Sequence, residues 1–190
     1  MVAKPKPRAT YKDVLGAPEH VVAEILFGVL YTFPRPAPRH ARVASRLGVD
    51  IGGPFDSDSG RPGGWIILDE PELHFGKSPE EDIVVPDLAG WRRTRLKKLP
   101  DEAYFTLAPD WVCEILSAST QAVDRSDKMT IYAREGVKHA WLVDPIAKTL
   151  EVYKLRSKAW VRAKVFRDDA KVRAEPFAAI MLDLKRLWTL

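Results

Sequence analysis

The segment 110–144 limits what this chain can fold into more than any other part of the sequence. It begins with a nearly continuous apolar run at 110–117, which is typical of a central strand buried on both faces. A helix is predicted over about 121–135, because a serine and a threonine precede it as candidate N-caps and Gly136 follows it as a stop. Residues 139–144 form the next predicted strand. Since the connections are short, the segment predicts a right-handed βαβ crossover and a partly parallel sheet.

The sequence before residue 48 predicts two helices and, between them, one segment that fits two alternative structures. Residues 11–15 are a short predicted helix that a threonine caps. Residues 20–33 are apolar, which fits either a hairpin that turns at Phe27-Gly28 or a helix followed by a strand. The periodicity leaves both alternatives open. A Pro-rich break precedes the second helix, predicted over 39–47.

The rest of the chain predicts strands. The glycine-rich stretch 52–64 is predicted to be a loop. Residues 65–69 and 72–75 are predicted to form a hairpin-like unit, and 82–91 a single strand. Three apolar segments after the βαβ unit predict added antiparallel strands before a short terminal helix. The predicted fold class is therefore α/β, with a mixed β-sheet flanked by helices and extra antiparallel strands at the C-terminus.

Length and composition fit one globular domain. The chain has 190 residues, and we expect a single domain over 10–190 that follows a flexible basic arm at 1–9. The only cysteine, Cys113, excludes an internal disulfide. No apolar stretch is long enough to span a membrane, and none follows the basic start as in a secretory signal. These features predict a cytoplasmic protein with no membrane partner.

Two basic clusters are candidate nucleic-acid contacts, although solvated surface charge explains many such clusters equally well. The net charge of +4 permits nucleic-acid binding without requiring it. The first cluster consists of Arg92, Arg93, Arg95, Lys97 and Lys98. The second consists of Arg35, Arg39, His40, Arg42 and Arg46.

Two carboxylates stand within apolar runs. Glu114 lies inside the predicted central strand, where a charge is costly unless it is paired or binds a metal. Asp87 follows Pro86 in a second apolar run. Acids on neighbouring strands can bind one divalent cation, and oxygen ligands of this kind suit Mg²⁺. The alternatives are that Glu114 faces solvent or an arginine, and that Pro86-Asp87 merely turns the chain.

Lys128 lies on the predicted helix, four residues after Asp124, so the two share a face. Either the two form a surface ion pair, or the Lys128 ammonium reaches the sheet edge, where it could orient the attacking water or stabilise charge on a phosphate. The helix periodicity does not choose between the two. Zinc hydrolases and NTPases are disfavoured, since the four histidines lack paired metal spacing and the glycines lack a phosphate-loop pattern. Cys113 is expected to point away from Glu114 into a core.

An ordered set of short motifs resembles the Uma-two family of restriction endonucleases, within the PD-(D/E)XK nuclease superfamily. The motifs that carry the resemblance are Pro86-Asp87, Glu114 to Thr120, Asp124 to Lys128, Tyr132, Gly136-Val137 and Ala140 to Pro145, with Thr10-Tyr11, Pro18, Glu24, Gly28 and His40 upstream. The resemblance covers about residues 10–150. It implies that the mixed sheet is restriction-endonuclease-like and that residues 10–190 form a single PD-(D/E)XK nuclease-like domain.

The resemblance implies roles for individual residues. Asp87 and Glu114 would bind the metal, Mg²⁺ or alternatively Mn²⁺, and Lys128 would be the catalytic cation. Glu24 matches an acid at the edge of such sites, and His40 lies near the site. The superfamily places its lysine two residues after the glutamate, where this chain has a leucine, so the resemblance implies that the helix lysine replaces it.

Three functions follow from these observations. The first is a metal-dependent endonuclease that hydrolyses phosphodiester bonds in DNA. The second is a catalytically inactive DNA-binding or regulatory protein on the same fold, which the missing strand lysine favours. The third is an interaction module in which the C-terminal strands and the six tryptophans form a subunit interface. A homodimer is the assembly that we expect if the chain self-associates.

Overall fold

The computed structural model describes residues 7–56, 62–77 and 81–189. Most of the predicted arm at 1–9 and the centre of the predicted loop at 52–64 lie outside the described residues. The helices are α1 (Tyr11–Leu15), α2 (Pro38–Phe55), α3 (Gln121–Val123), α4 (Met129–Arg134) and α5 (Lys185–Trp188). A π-helical segment, Asp124–Lys128, joins α3 to α4, and the three together are called the site helix.

Twelve strands are described, and they form three sheets. They are β1 (Val21–Leu26), β2 (Val29–Pro34), β3 (Trp65–Asp69), β4 (Leu73–Phe75), β5 (Asp82–Val84), β6 (Leu88–Arg92), β7 (Trp111–Ile115), β8 (His139–Asp144), β9 (Thr149–Arg156), β10 (Ala159–Arg167), β11 (Lys171–Val172) and β12 (Leu182–Asp183). The large sheet has the order β10-β9-β8-β7-β6-β3, the second sheet has the order β2-β1-β5-β4, and β11 pairs with β12.

The large sheet is mixed, as predicted. β7 and β8 are parallel and are joined by the site helix, which confirms the predicted strand–helix–strand unit. The other neighbours in this sheet are antiparallel, including β9 and β10, the predicted C-terminal addition. One face of the sheet packs on α2 and the C-terminal segments, and the other packs on the site helix and the second sheet.

The segment 20–33 is a hairpin, and this settles the alternatives that its periodicity left open. Phe27 and Gly28 both have positive φ, of 53° and 81°. Two central residues of this kind form a type I′ turn, whose twist matches the twist of paired strands. The hairpin carries Glu24 into the interior on β1, where the glutamate is 2% exposed.

Three predictions about local structure were wrong. The predicted helix 39–47 extends to Phe55 and takes in the first part of the predicted loop. β3 and β4 do not form a hairpin, because β3 pairs with β6 and β4 pairs with β5. Residues 82–91 are not a single strand: β5 belongs to the second sheet and β6 to the large one.

The tryptophans do not form an exposed patch. Four of them, Trp65, Trp91, Trp111 and Trp141, are fully buried, and the other two are half-buried. Phe177 contacts three of the buried rings at centroid distances of 4.9 to 5.7 Å. They therefore serve the core, which contradicts the prediction that they form a subunit interface. Among the described residues, no helix has the length and apolar character needed to cross a membrane.

Candidate active site

Asp87 and Glu114 lie beside each other at one end of the large sheet. Leu88 pairs with Cys113 in the antiparallel register of β6 and β7, so Asp87 falls opposite Glu114. The backbone N–H of Ile115 donates to Asp87 Oδ2 at 2.6 Å, which fixes the aspartate against the neighbouring strand. The two predicted metal ligands are thus brought together.

The chain crosses from one sheet to the other at this point, and the crossing places Asp87. Between β5 and β6, Pro86 has no N–H to donate and therefore favours a break in the ladder. Val85 is held on both sides of its backbone: its N–H donates to Glu24 Oε1 at 2.6 Å, and Lys128 Nζ donates to its carbonyl at 3.2 Å.

Glu114 points to the face that the site helix covers. Trp111, Cys113 and Ile115 pack into the core on the α2 side, whereas Val112 and Leu116 pack into the core on the other side. Side chains alternate along a strand, so Glu114 shares the second face. Cys113 is fully buried on the opposite face, as predicted for a small core residue.

Lys128 lies within a cluster of carboxylates. Its Nζ is 3.0 Å from Glu114 Oε1, 3.2 Å from Glu24 Oε1 and 3.6 Å from Asp124 Oδ1. The side chain is only 4% exposed, so this is a buried site and not the surface ion pair that was the alternative. The lysine belongs to the π-helical segment, a feature that often occurs at functional sites.

Two further residues of the site, Asp124 and Tyr132, belong to the motifs of the family resemblance but were given no predicted role in the site. The Tyr132 hydroxyl donates to Glu114 Oε1 at 2.5 Å, and both groups are buried. Asp124, Lys128 and Tyr132 recur every four residues along the helix. That spacing was the available signal, because residues four apart share one helix face.

His40, from the first turn of α2, completes the surroundings of Asp87. Its Nε2 is 3.1 Å from Asp87 Oδ1, and the ring is 8% exposed. Its Nδ1 has no hydrogen-bond partner among the described residues. Burial acts to lower the pKa of His40, but the hydrogen bond and the charge of Asp87 outweigh it, and the net shift is upward.

The cluster carries an excess of negative charge. Burial raises the pKa of Glu114 well above its ordinary value, and the charges of Asp124, Asp87 and Glu24 raise it further. Burial also raises the pKa values of Glu24 and Asp124. Burial would lower the pKa of Lys128, but the charges of Glu114 and Glu24 raise it well above the usual value. The Lys128 ammonium contacts three of these carboxylates and Asp87 pairs with His40, so a divalent cation would relieve the repulsion between the acidic groups.

The donors fit a hydrated Mg²⁺ better than a site built wholly of protein ligands. Within the described ranges, no three His, Cys, Asp or Glu side chains are grouped so as to hold a metal, since Lys128 lies between Glu24 and Glu114. Mg²⁺ takes only one or two protein carboxylates and keeps several waters. No described residue donates a hydrogen bond to Glu114 Oε2, so Asp87 and Glu114 can supply that number.

The site opens to solvent through a cleft of about 130 Å³. Besides the cluster, Ser117, Thr120 and Glu70 line it, together with Arg35, which lies 3.7 Å from Glu70. Arg35 belongs to the second basic cluster, a candidate nucleic-acid contact in the sequence, whereas Glu70 was not among the predicted metal ligands. A polar cleft with a basic side chain at its wall can admit an anionic substrate.

The basic cluster at 92–98 is not brought to this site. Arg92 ends β6 and Asp87 precedes the same strand, so the cluster lies at the opposite end of the sheet. Arg93 pairs with Asp56, Arg95 with Asp110 and Lys98 with Asp101, while Arg92 lies over the Trp65 ring at 4.0 Å. Its role in DNA binding stays a prediction.

Comparisons with known proteins identify the family and the fold of this chain. The sequence model of the Uma2 family, described as "Putative restriction endonuclease", matches residues 9–185. A crystal structure from Anabaena variabilis, described as "a putative nuclease belonging to DUF820", superposes with a TM-score of 0.74. The alignment covers 95% of this chain and 97% of that one, and 24% of the residues are identical, so it shows the shared fold. No curated protein matches the chain.

Proposed function

This chain belongs to the Uma2 family of restriction endonuclease-like proteins, and we propose that it is a divalent-metal-dependent nuclease that hydrolyses phosphodiester bonds in DNA. The proposal rests on one observation: Asp87, immediately before β6, falls opposite Glu114 on β7, whose carboxylate is 3.0 Å from the buried ammonium of Lys128, and all three residues line an open cleft. Two oxygen ligands and a fixed cation next to them suit hydrolysis of a phosphodiester.

Asp87 and Glu114 would hold the metal. When bound, Mg²⁺ or Mn²⁺ would polarise the phosphoryl oxygens and lower the pKa of a bound water. Ile115 and His40 fix the two oxygens of Asp87, and Tyr132 fixes Glu114. Such outer partners orient metal ligands and raise their affinity.

Lys128 would stabilise the negative charge that develops on the phosphoryl group. Glu24 holds its ammonium from one side and Glu114 from the other. These contacts keep the lysine protonated at neutral pH, because they raise its pKa despite its burial. A cation fixed before the reaction stabilises a transition state without the cost of reorganising solvent.

The first test measures nicking of supercoiled plasmid in the presence of Mg²⁺ or Mn²⁺. It compares the wild-type chain with the variants Glu114→Gln and Asp87→Asn. We expect EDTA-sensitive nicking by the wild type and a loss of at least about 100-fold in each variant, since metal stabilisation of charge is worth several kcal/mol. Asp110→Asn is the matched control. Asp110 has the same 2% exposure as Glu114 but lies at the other end of β7. Thermal unfolding would show that each variant is folded.

The alternative is a DNA-binding or regulatory protein without catalysis. One observation favours it: Leu116 occupies the strand position where the superfamily has its lysine, and Lys128 is engaged with carboxylates. An intact plasmid under every metal condition, together with salt-dependent DNA binding in EDTA, would refute the nuclease and leave this alternative.

A further inference from the structure

A second groove lies on the other side of the α2 start. It has a volume of about 500 Å³, and its walls carry Arg39, Arg42 and Lys148. Its floor is apolar, formed by Val43, Leu187, Pro145 and the half-buried indole of Trp188. No acidic side chain is among the described residues that line it. This composition differs from that of the catalytic cleft, where carboxylates dominate.

The cations of the groove are available to a ligand. Arg39, Arg42 and Lys148 are all exposed. Arg42 donates to the carbonyl of Thr189 at 3.1 Å, and it forms no ion pair with a described carboxylate, although its charge acts on Asp50. Neither Arg39 nor Lys148 forms an ion pair with any described residue, in contrast to Arg93, Arg95 and Lys98. Unpaired cations around an apolar floor favour an anion that also carries flat apolar surface.

Only the first turn of α2 separates the groove from the catalytic cleft. Ala37 and His40 line the cleft, and the residues between and after them, Pro38, Arg39 and Arg42, line the groove. The α2 start also presents backbone N–H groups that no side chain caps, which adds positive potential along the way. A strand that leaves the cleft across this turn would therefore enter the groove.

We propose that this groove binds an unpaired stretch of the DNA strand next to the phosphate that is cleaved. Arg39, Arg42 and Lys148 contact its phosphates, and Trp188 stacks on a base. The inference rests on the proposed nuclease function. An apolar floor favours a single strand, because unpaired bases expose their faces, whereas a duplex presents mainly phosphates to a groove of this kind.

The test is fluorescence anisotropy of a labelled single-stranded oligonucleotide and of the corresponding duplex, in EDTA, over a range of salt concentrations. Arg39→Ala/Lys148→Ala is compared with the control Arg156→Ala/Lys158→Ala. Each pair of substitutions removes one exposed arginine and one exposed lysine. Both lysines have a left-handed backbone conformation, with φ of 50° at Lys148 and 63° at Lys158. Arg156 is the last residue of β9 and Lys158 lies in the turn after it, at the end of the strand opposite to Lys148.

For the single strand, log K falls as the logarithm of the salt concentration rises. We expect the magnitude of this slope to be smaller by about 1.4 in the groove variant, because each phosphate that the protein no longer neutralises reduces it by about 0.7. The control should keep the wild-type slope. Trp188→Leu should weaken single-strand binding by about fivefold or more, and Trp188→Phe should retain most of it because a ring still stacks. The phenylalanine variant separates loss of stacking from loss of core packing.

Two outcomes would overturn the proposal. One is a groove variant that binds like the control. The other is an equal change in slope for a duplex that binds as tightly as the single strand, since this would leave no role for unpaired bases. The binding is measured without metal and needs no cleavage. If the plasmid stays intact but the groove variant still loses affinity for the single strand, the nuclease proposal fails. The proposal that the groove binds unpaired DNA is then retained.

Discussion

Replacing Lys128 with methionine should destabilise the fold strongly at pH 7. Methionine has a similar length but no charge, so Glu24 and Glu114, each 2% exposed, lose their common cation. Removing one partner of a buried pair costs about 3–5 kcal/mol, because the charge that remains is uncompensated. For a chain of this length, about 2–4 °C per kcal/mol gives a fall in Tm of about 6–20 °C.

The loss should depend on pH, and its sign follows from the carboxylates. Burial already raises the pKa values of Glu24 and Glu114, and Lys128 is the neighbour that lowers them. In the variant, the folded state therefore binds more protons than the unfolded state at pH values above about 4.3, the ordinary pKa of glutamate. Stability is then greatest below that value and falls as the pH rises through the folded pKa, by about 1.4 kcal/mol per pH unit for each extra proton.

The assay is urea unfolding from pH 5 to pH 8, followed by tryptophan fluorescence. Lys128→Met should lose less stability relative to wild type at pH 5 than at pH 8. Adding Glu114→Gln should recover about 1–3 kcal/mol, since it removes one of the unpaired charges. The control is Lys98→Met, which breaks an exposed pair with Asp101, whose side chains are 75% and 84% exposed, and should behave like the wild type.

Two results would refute this reasoning. A Lys128→Met protein within about 1 kcal/mol of wild type at pH 7 would mean that the ammonium is not the buried counter-charge. A loss that grows as the pH falls would mean that the carboxylates around it are not the groups that titrate.

Two further predictions concern the metal. Tyr132→Phe removes the hydroxyl that holds Glu114 and should raise the Mn²⁺ concentration for half-maximal nicking by about 10–100-fold; an unchanged value would contradict the orienting role. Mg²⁺ at about 100 times its Kd should stabilise the wild type by about 2.7 kcal/mol in thermal unfolding, and Glu114→Gln should not respond; equal shifts in both would place the ion elsewhere.

The strand–helix–strand unit could be predicted because every local signal agreed. An apolar run, N-capping residues, a terminating glycine and a second apolar run fall in order, and the structure places β7 at Trp111–Ile115 and β8 at His139–Asp144. Glu114 was visible for the same reason, as a charge where the pattern requires an apolar side chain.

The paired partners of the other strands could not be predicted, because they are set by contacts distant in sequence. The apolar run at 82–91 continues across Pro86, and hydrophobicity alone cannot show that the chain changes sheets there. The change of sheet depends on Glu24, which lies 61 residues earlier in the chain and accepts a hydrogen bond from the N–H of Val85. The same limit explains β3 and β4, which are close in sequence but pair with different strands.

The sequence contains a periodic signal for the full length of α2, but the glycines in its last part indicated a loop. Val43, Leu47, Ile51 and Phe55 recur every four residues and are all buried against the large sheet. Gly52 and Gly53 argued for a loop, since glycine disfavours helix by about 1 kcal/mol per residue. Burial of four apolar side chains outweighs that cost.

The proposed role of Lys128 could not be derived from the helix pattern, because periodicity shows which residues share a face but not which part of the protein that face contacts. Only the family resemblance indicated that the helix lysine replaces a strand lysine. Leu116 offers a direct test of that replacement. It is 4% exposed, and it lies two residues after Glu114, on the same face of β7.

Moving the lysine back to the strand should therefore rescue the Lys128→Met variant in part. Leu116→Lys/Lys128→Met should recover some stability at pH 8 and some nicking, since the new ammonium enters the same acidic cluster. Val112→Lys/Lys128→Met is the control, because Val112 is buried on the same face but two residues before Glu114, away from the cleft. No recovery with lysine at position 116, or equal recovery at 112, would show that the site needs the helix geometry and not merely a cation near Glu114.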